Sequence, residues 1–112
     1  MHRFEVLADG VVVGTTDLEF QDFGMGVANG AFHPTGHYLA IRVAVVAAAE
    51  KRNSGIHASS PSLDVRTNAG ESIETVFVTI DDFDVPVDPE ISVQFSNRVQ
   101  FDLLFGRVES RP

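Results

Sequence analysis

The stretch FEVLADGVVVG, residues 4–14, decides the fold class. Two apolar runs, Phe4–Ala8 and Val11–Val13, flank the pair Asp9-Gly10. A two-residue hairpin loop of type I′ needs a positive φ at both central positions, and aspartate followed by glycine is a preferred pair there. The stretch therefore predicts two short antiparallel strands joined by a type I′ turn.

The rest of the chain extends this β pattern. Alternating or continuous apolar runs predict further strand residues at 15–20, 25–32, 63–67, 71–83, 91–95 and 98–105. Residues 71–83 carry apolar side chains on both faces, which favours a central place in a sheet. The last two runs alternate cleanly, so we predict that they form a hairpin across Ser96 and Asn97.

One segment, residues 34–53, is ambiguous between strand and helix. As a strand, its residues 38–46 alternate well and place branched side chains on one face. As a helix, it would use Pro34 in its first turn, propagate through a run of three alanines and end on basic residues that the helix dipole favours. We predict a helix over residues 35–51. The predicted fold is therefore α+β, mainly β, with about seven antiparallel strands in a twisted sheet or a small sandwich.

The length and composition fit one globular domain. The chain has 112 residues, 44% of them hydrophobic, and we expect a single domain over residues 1–112 that needs no metal or disulfide to fold. It has no cysteine, which excludes disulfides and thiolate catalysis. The first residues show no apolar signal segment, and the apolar run 43–49 is far shorter than the ~20 residues of a membrane span. We therefore expect a cytoplasmic protein.

The charge balance argues against nucleic acid and membranes as partners. Sixteen acidic and eight basic residues give a formal net charge of −8, and Lys51 is the only lysine. Nucleic-acid binding rests on cationic side chains that neutralise phosphates, and an anionic membrane repels an acidic surface, so we predict neither partner. A protein with a basic surface would instead be attracted. A second copy of the chain is a further candidate partner.

The segment DFGMGVANGAF, residues 22–32, contains three glycines in a spacing that could suggest a phosphate-binding loop. A dinucleotide site requires such glycines between a strand and the first turn of a helix. Here Gly30 and Pro34 would interrupt any helix that began after Gly26. We therefore predict a structural strand whose glycines allow a neighbouring backbone to approach closely, and we predict no cofactor.

Two histidines raise the possibility of a metal site. His33 and His37 have the spacing of the zinc ligands in H-E-x-x-H, but the residues between them include no glutamate, and a proline and a glycine disfavour the helix that would align the imidazoles. No cysteine is available to complete a common structural zinc set. We predict no bound metal, and a small hydrolase or metal-dependent enzyme that uses these histidines and nearby acids is the alternative function.

An acidic run follows the long predicted strand. Its carboxylates are Asp81, Asp82, Asp84, Asp88 and Glu90. Calcium needs six to eight oxygen ligands, and the segment lacks the glycine and glutamate positions of an EF-hand loop. A solvated acidic loop that attracts a basic partner is the better interpretation, with two prolines holding its shape. These five carboxylates are therefore the predicted binding residues.

The whole pattern resembles a group of small bacterial single-domain proteins, some of them accessory or immunity-like. The resemblance is carried by DGVVVGTTDLEF (9–20), MGVANGAFHPTGHY (25–38), VFVTIDDF (76–83) and DLLFG (102–106). These motifs consist of turn and packing residues, so the resemblance implies a β-rich fold and supplies no catalytic residue. We expect a non-enzymatic protein-interaction domain with an acidic surface.

Overall fold

The structure is a computed structural model that describes residues 3–55, 62–83 and 88–106. The strands are β1 (Phe4–Ala8), β2 (Val11–Thr16), β3 (Phe20–Asp22), β4 (Val27–Ala31), β5 (His33–Pro34), β6 (Leu63–Thr67), β7 (Thr75–Asp81) and β8 (Glu90–Phe95). The helical elements are a 3₁₀ helix (Gly36–Ala40), α1 (Arg42–Asn53) and α2 (Arg98–Phe105).

The strands form two four-stranded antiparallel sheets that share one core. The first sheet has the order β5-β2-β1-β6, and the second has the order β3-β4-β8-β7. Alternate residues of both sheets are buried, as a sandwich with one face of each sheet turned inward requires. The predicted α+β, mainly β fold is therefore confirmed, with eight strands in the described residues where about seven were predicted.

The opening hairpin forms as predicted. Asp9 has a φ of 51° and Gly10 a φ of 79°, and the flanking residues Ala8 and Val11 pair with each other. Both positive φ values are those of a type I′ turn, whose twist matches that of the two strands. The register then shifts between Val6 and Leu7, which marks a bulge in the hairpin.

A glycine in β2 makes room for a close contact with the segment after β4. Gly14 lies against the ring of Phe32, and a Cβ atom at this position would overlap that ring and come within 2.8 Å of the His33 carbonyl oxygen. Phe32 is fully buried, and its ring meets that of Tyr38 edge-on at a centroid distance of 5.1 Å. Gly14 therefore determines how closely the 3₁₀ helix can pack on the first sheet.

The predicted strand at residues 98–105 is wrong, because the segment forms helix α2. Asn97, predicted to lie in a hairpin turn, caps the helix by accepting a hydrogen bond from the Gln100 amide at 3.0 Å. Gly106 ends the helix in the left-handed conformation. The alternating apolar pattern also fits a helix with Phe101 and Phe105 turned inward, and the ring of Phe101 packs against three other phenylalanine rings, Phe23, Phe95 and Phe105.

Two further sequence predictions need correction. Strand β7 lies at an edge of the second sheet and not at its centre, since it pairs with β8 alone. The apolar side chains of Val76 and Phe77, beside a register shift, are exposed. The helix predicted over residues 35–51 is divided into the 3₁₀ helix and α1, and α1 continues to Asn53. Pro34 belongs to β5, where it pairs with Gly14, so it is not in the first turn of the helix.

We expect Gly14→Ala to lower the free energy of unfolding by about 1–3 kcal/mol, because the added methyl group must displace the Phe32 ring or the backbone of His33. Urea denaturation measures this loss. Gly36→Ala is the matched control, since nothing lies within 4 Å of its added Cβ. Equal stability of the two variants would contradict the close packing at Gly14.

Candidate functional site

The residue that follows β7 is a buried carboxylate. Asp82 is only 5% exposed, because the two-residue period of the strand places it on the inward face after Val78 and Ile80. Its Oδ2 accepts a hydrogen bond from the Tyr38 hydroxyl at 2.7 Å and another from Arg42 Nε at 3.3 Å. A buried charge of this kind is tolerated only when it is paired and hydrogen-bonded.

The tyrosine of this group is strongly perturbed. Tyr38 lies in the 3₁₀ helix and is 2% exposed. Burial, followed by the hydrogen bond to Asp82 and the negative charge of that residue, raises the pKa of the Tyr38 hydroxyl, while the Arg42 charge acts in the opposite direction. The hydroxyl therefore remains a proton donor to Asp82 under all ordinary conditions.

The neighbouring acid faces the other way and is also paired. Arg52 donates from Nη2 to Asp81 Oδ1 at 3.0 Å and to the Ile80 carbonyl oxygen at 3.1 Å. Arg42 stands at the first residue of α1 and Arg52 near its last, so two arginines attach both ends of the helix to the end of β7. Asp81 and Asp82 thus position α1 on the second sheet.

The other arginines in the described ranges are also engaged within the chain. Arg66 pairs with Glu5 at 2.6 Å, and Arg98 pairs with Asp102 at 3.2 Å. Arg3 lies over two aromatic rings, each with its centroid at 5.3 Å, and donates to the Leu104 carbonyl oxygen. Nine exposed acids have no basic partner among the described residues: Asp9, Glu19, Asp22, Glu50, Asp64, Glu71, Glu74, Asp88 and Glu90.

The five predicted binding carboxylates therefore divide into distinct groups. Asp82 is buried, and Asp81 is half-buried beside Arg52. Asp88 and Glu90 are exposed at the start of β8, and Glu90 pairs in register with Asp81 on one side and with Ala31 on the other. Asp84 lies outside the described residues. The structure brings Asp81 and Glu90 together, whereas Asp82 points into the core.

The two histidines of the alternative site are both exposed. His33 lies in β5 opposite Thr15, and His37 lies in the 3₁₀ helix. Across residues 3–55, 62–83 and 88–106, no three histidine, aspartate or glutamate side chains are grouped so that they could hold a metal ion.

The glycine-rich segment forms a turn and a close strand contact. The Asp22 carbonyl oxygen accepts hydrogen bonds from the amides of Met25 and Gly26, and Gly26 has a φ of 68° in this turn between β3 and β4. A Cβ atom on Gly30 would overlap the Glu19 carboxylate and lie 2.9 Å from the Glu19 backbone nitrogen. The predicted close backbone approach is therefore present, and the segment has a structural role.

Comparisons of the chain with models of protein families, with curated proteins and with solved structures found no match. The described helices include none with the length and apolar character needed to cross a membrane. Function must therefore be inferred from the side chains and surfaces of this chain.

Sequence reasoning missed the contact between Tyr38 and Asp82, which lie 44 residues apart. One signal was present, because Asp82 continues the inward-facing series of Val78 and Ile80. A carboxylate in a buried position needs donors. The pattern could therefore have predicted that this acid is internal, although not that Tyr38 and Arg42 are its partners.

Tyr38 is the only tyrosine in the chain, and there is no tryptophan, so its ionisation can be observed directly by ultraviolet absorbance. Because the pKa is raised above its ordinary value of 10.0 in the folded state, the contribution of this group to stability is complete below pH 10 and falls as the pH rises above it. We expect no tyrosinate absorbance in the folded protein near pH 10, and half-ionisation near that pH in concentrated urea. Half-ionisation near pH 10 with an unchanged circular dichroism spectrum would contradict the buried contact.

Proposed function

We propose that this chain is a non-enzymatic protein-interaction domain, of an accessory or immunity-like kind, that recognises a basic surface on another protein. The observation that supports this proposal is the distribution of charge. All five arginines in the described ranges are engaged in contacts within the chain, while nine exposed carboxylates have no basic partner there. The outward charge available to a partner is therefore mainly negative.

The start of β8 is the part of this surface that we propose for recognition. Asp88 and Glu90 are exposed on either side of Pro89, whose carbonyl oxygen accepts a hydrogen bond from the Phe32 amide at 2.9 Å. Glu90 then pairs in register with a strand on each side. The backbone that carries these carboxylates is therefore fixed before binding, which lowers the entropy lost in forming a complex.

The chemistry expected of this surface is electrostatic attraction. Exposed carboxylates raise the rate at which a basic partner is encountered, and added salt screens that attraction. Asp81 contributes less than Glu90 because Arg52 neutralises it, and Asp82 is unsuited to recognition because it is buried. Asp84 remains a predicted binding residue.

The alternative function, a small hydrolase or metal-dependent enzyme, gains no supporting observation. His33 and His37 are both exposed, and the described residues around them include no group of metal ligands. The net charge of −8 also continues to favour a protein partner over nucleic acid or an anionic membrane. We propose no cofactor.

The test begins with recovery of a partner from the native host on the immobilised chain. With that partner purified, we expect Glu90→Lys to slow association several-fold at low salt, because it reverses a charge within the proposed surface. Surface plasmon resonance measures the rate.

Asp64→Lys is the matched control, because Asp64 is exposed on β6 in the other sheet and the substitution changes the net charge equally. An association rate that Glu90→Lys leaves unchanged, or that Asp64→Lys lowers by the same factor, would remove the start of β8 from the interface.

A further inference from the structure

The outward face of α1 and the 3₁₀ helix carries large apolar side chains in contact with solvent. Leu39 is 74% exposed and Val43 is 83% exposed. They line a surface groove, which we name the α1 stripe, formed by Leu39, Arg42, Val43, Val46, Ala47 and Glu50. The opposite face of the helix, with Val45 and two alanines, is buried against the protein. Packing among residues 3–55, 62–83 and 88–106 therefore does not account for the stripe.

The charges of the α1 stripe are arranged symmetrically about its middle. Arg42 lies near one end and Glu50 near the other, with Val46 midway between them in the sequence. A helix rises about 1.5 Å per residue, so the two charges are about 12 Å apart along the axis. An identical helix in antiparallel orientation, related by a twofold axis near Val46, brings each Arg42 to the level of Glu50 in the other copy.

We propose that the α1 stripe binds a second copy of this chain, with the two α1 helices antiparallel about a twofold axis near Val46. The occupant follows from charge complementarity, because one copy supplies both members of two equivalent ion pairs. The apolar side chains between the charges become buried in the contact. This inference is independent of the partner proposed for the start of β8.

Local charge at this surface is compatible with a second copy of the acidic chain. Helix α1 carries three basic residues, Arg42, Lys51 and Arg52, and only one acid, Glu50, so it differs from the chain as a whole. Asp82 and Asp81 pair with two of these bases, Arg42 and Arg52, so the helix adds little net charge to a contact between two copies. Repulsion between two chains of charge −8 is screened over about 8 Å at physiological salt.

The shape of the helix allows a close approach. Ala44 and Ala47 of α1 are exposed and small, which suits the 8–10 Å separation of packed helices. The Arg42 side chain is 37% exposed, and its Nε contacts Asp82. A carboxylate of the second copy can therefore approach the exposed part of the Arg42 side chain.

The first test measures oligomeric state by sedimentation equilibrium over a range of concentrations at physiological salt. We expect a dimer that Val43→Glu weakens at least tenfold, because this substitution places a charge within the apolar part of the contact. Val99→Glu is the matched control, since Val99 is 67% exposed on α2, and we expect it to leave the dimer unchanged. A chain that stays monomeric at the highest concentration, or a dimer that Val43→Glu does not weaken, would overturn the proposal.

A second test fixes the orientation, and it uses the absence of native cysteine. Ala47 lies beside the proposed twofold axis, so mild oxidation of the Ala47→Cys variant should join two copies by a disulfide. Leu39 is also exposed, but it lies in the 3₁₀ helix before α1, seven residues from Val46, so the Leu39→Cys side chains of the two copies would be beyond the reach of a disulfide. Circular dichroism confirms folding of each variant. Cross-linking of Leu39→Cys as fast as that of Ala47→Cys would overturn the antiparallel arrangement.

Discussion

The buried carboxylate of Asp82 is the group on which the position of the helical segment depends. It lies at the end of β7 and receives hydrogen bonds from the 3₁₀ helix through Tyr38 and from α1 through Arg42. A carboxylate in this position is costly unless donors surround it, so the helical segment must stay where it can supply them. Arg52 repeats the connection at the far end of α1 through Asp81.

The need to pair buried and half-buried acids with arginines also determines which charges remain on the surface. Two arginines hold α1 on the sheet through ion pairs. The arginines on β6, on α2 and before β1 also make ion pairs or ring contacts within the chain. Exposed acids such as Glu90 therefore define the outward charge, and α1, with its buried face fixed, turns Leu39 and Val43 to solvent. The acidic start of β8 and the α1 stripe are two distinct surfaces, and we propose a basic protein as the partner of the first and a second copy as the partner of the other.

The sequence predicts those features whose cause is local. Asp9-Gly10 specifies its hairpin because the turn conformation depends on these two residues alone. The alternating apolar run 98–105 predicts a strand but forms a helix, because such a run also fits a helix of two turns. The cap residues Asn97 and Gly106 are the signals that distinguish the helix from a strand. The partners of Asp82 could not be predicted, because they approach it only after the sheets and the helical segment have packed together.

The most direct test of this account compares the unfolding free energies of Asp82→Asn and Glu90→Gln in urea. Each substitution removes one negative charge from the same acidic run while preserving side-chain shape. We expect a loss of about 1–3 kcal/mol for Asp82→Asn, because the Asp82 carboxylate receives charged and buried hydrogen bonds, and a change within about 0.5 kcal/mol for Glu90→Gln, because Glu90 is exposed. Similar small changes for both variants would show that Asp82 does not hold the helical segment in place.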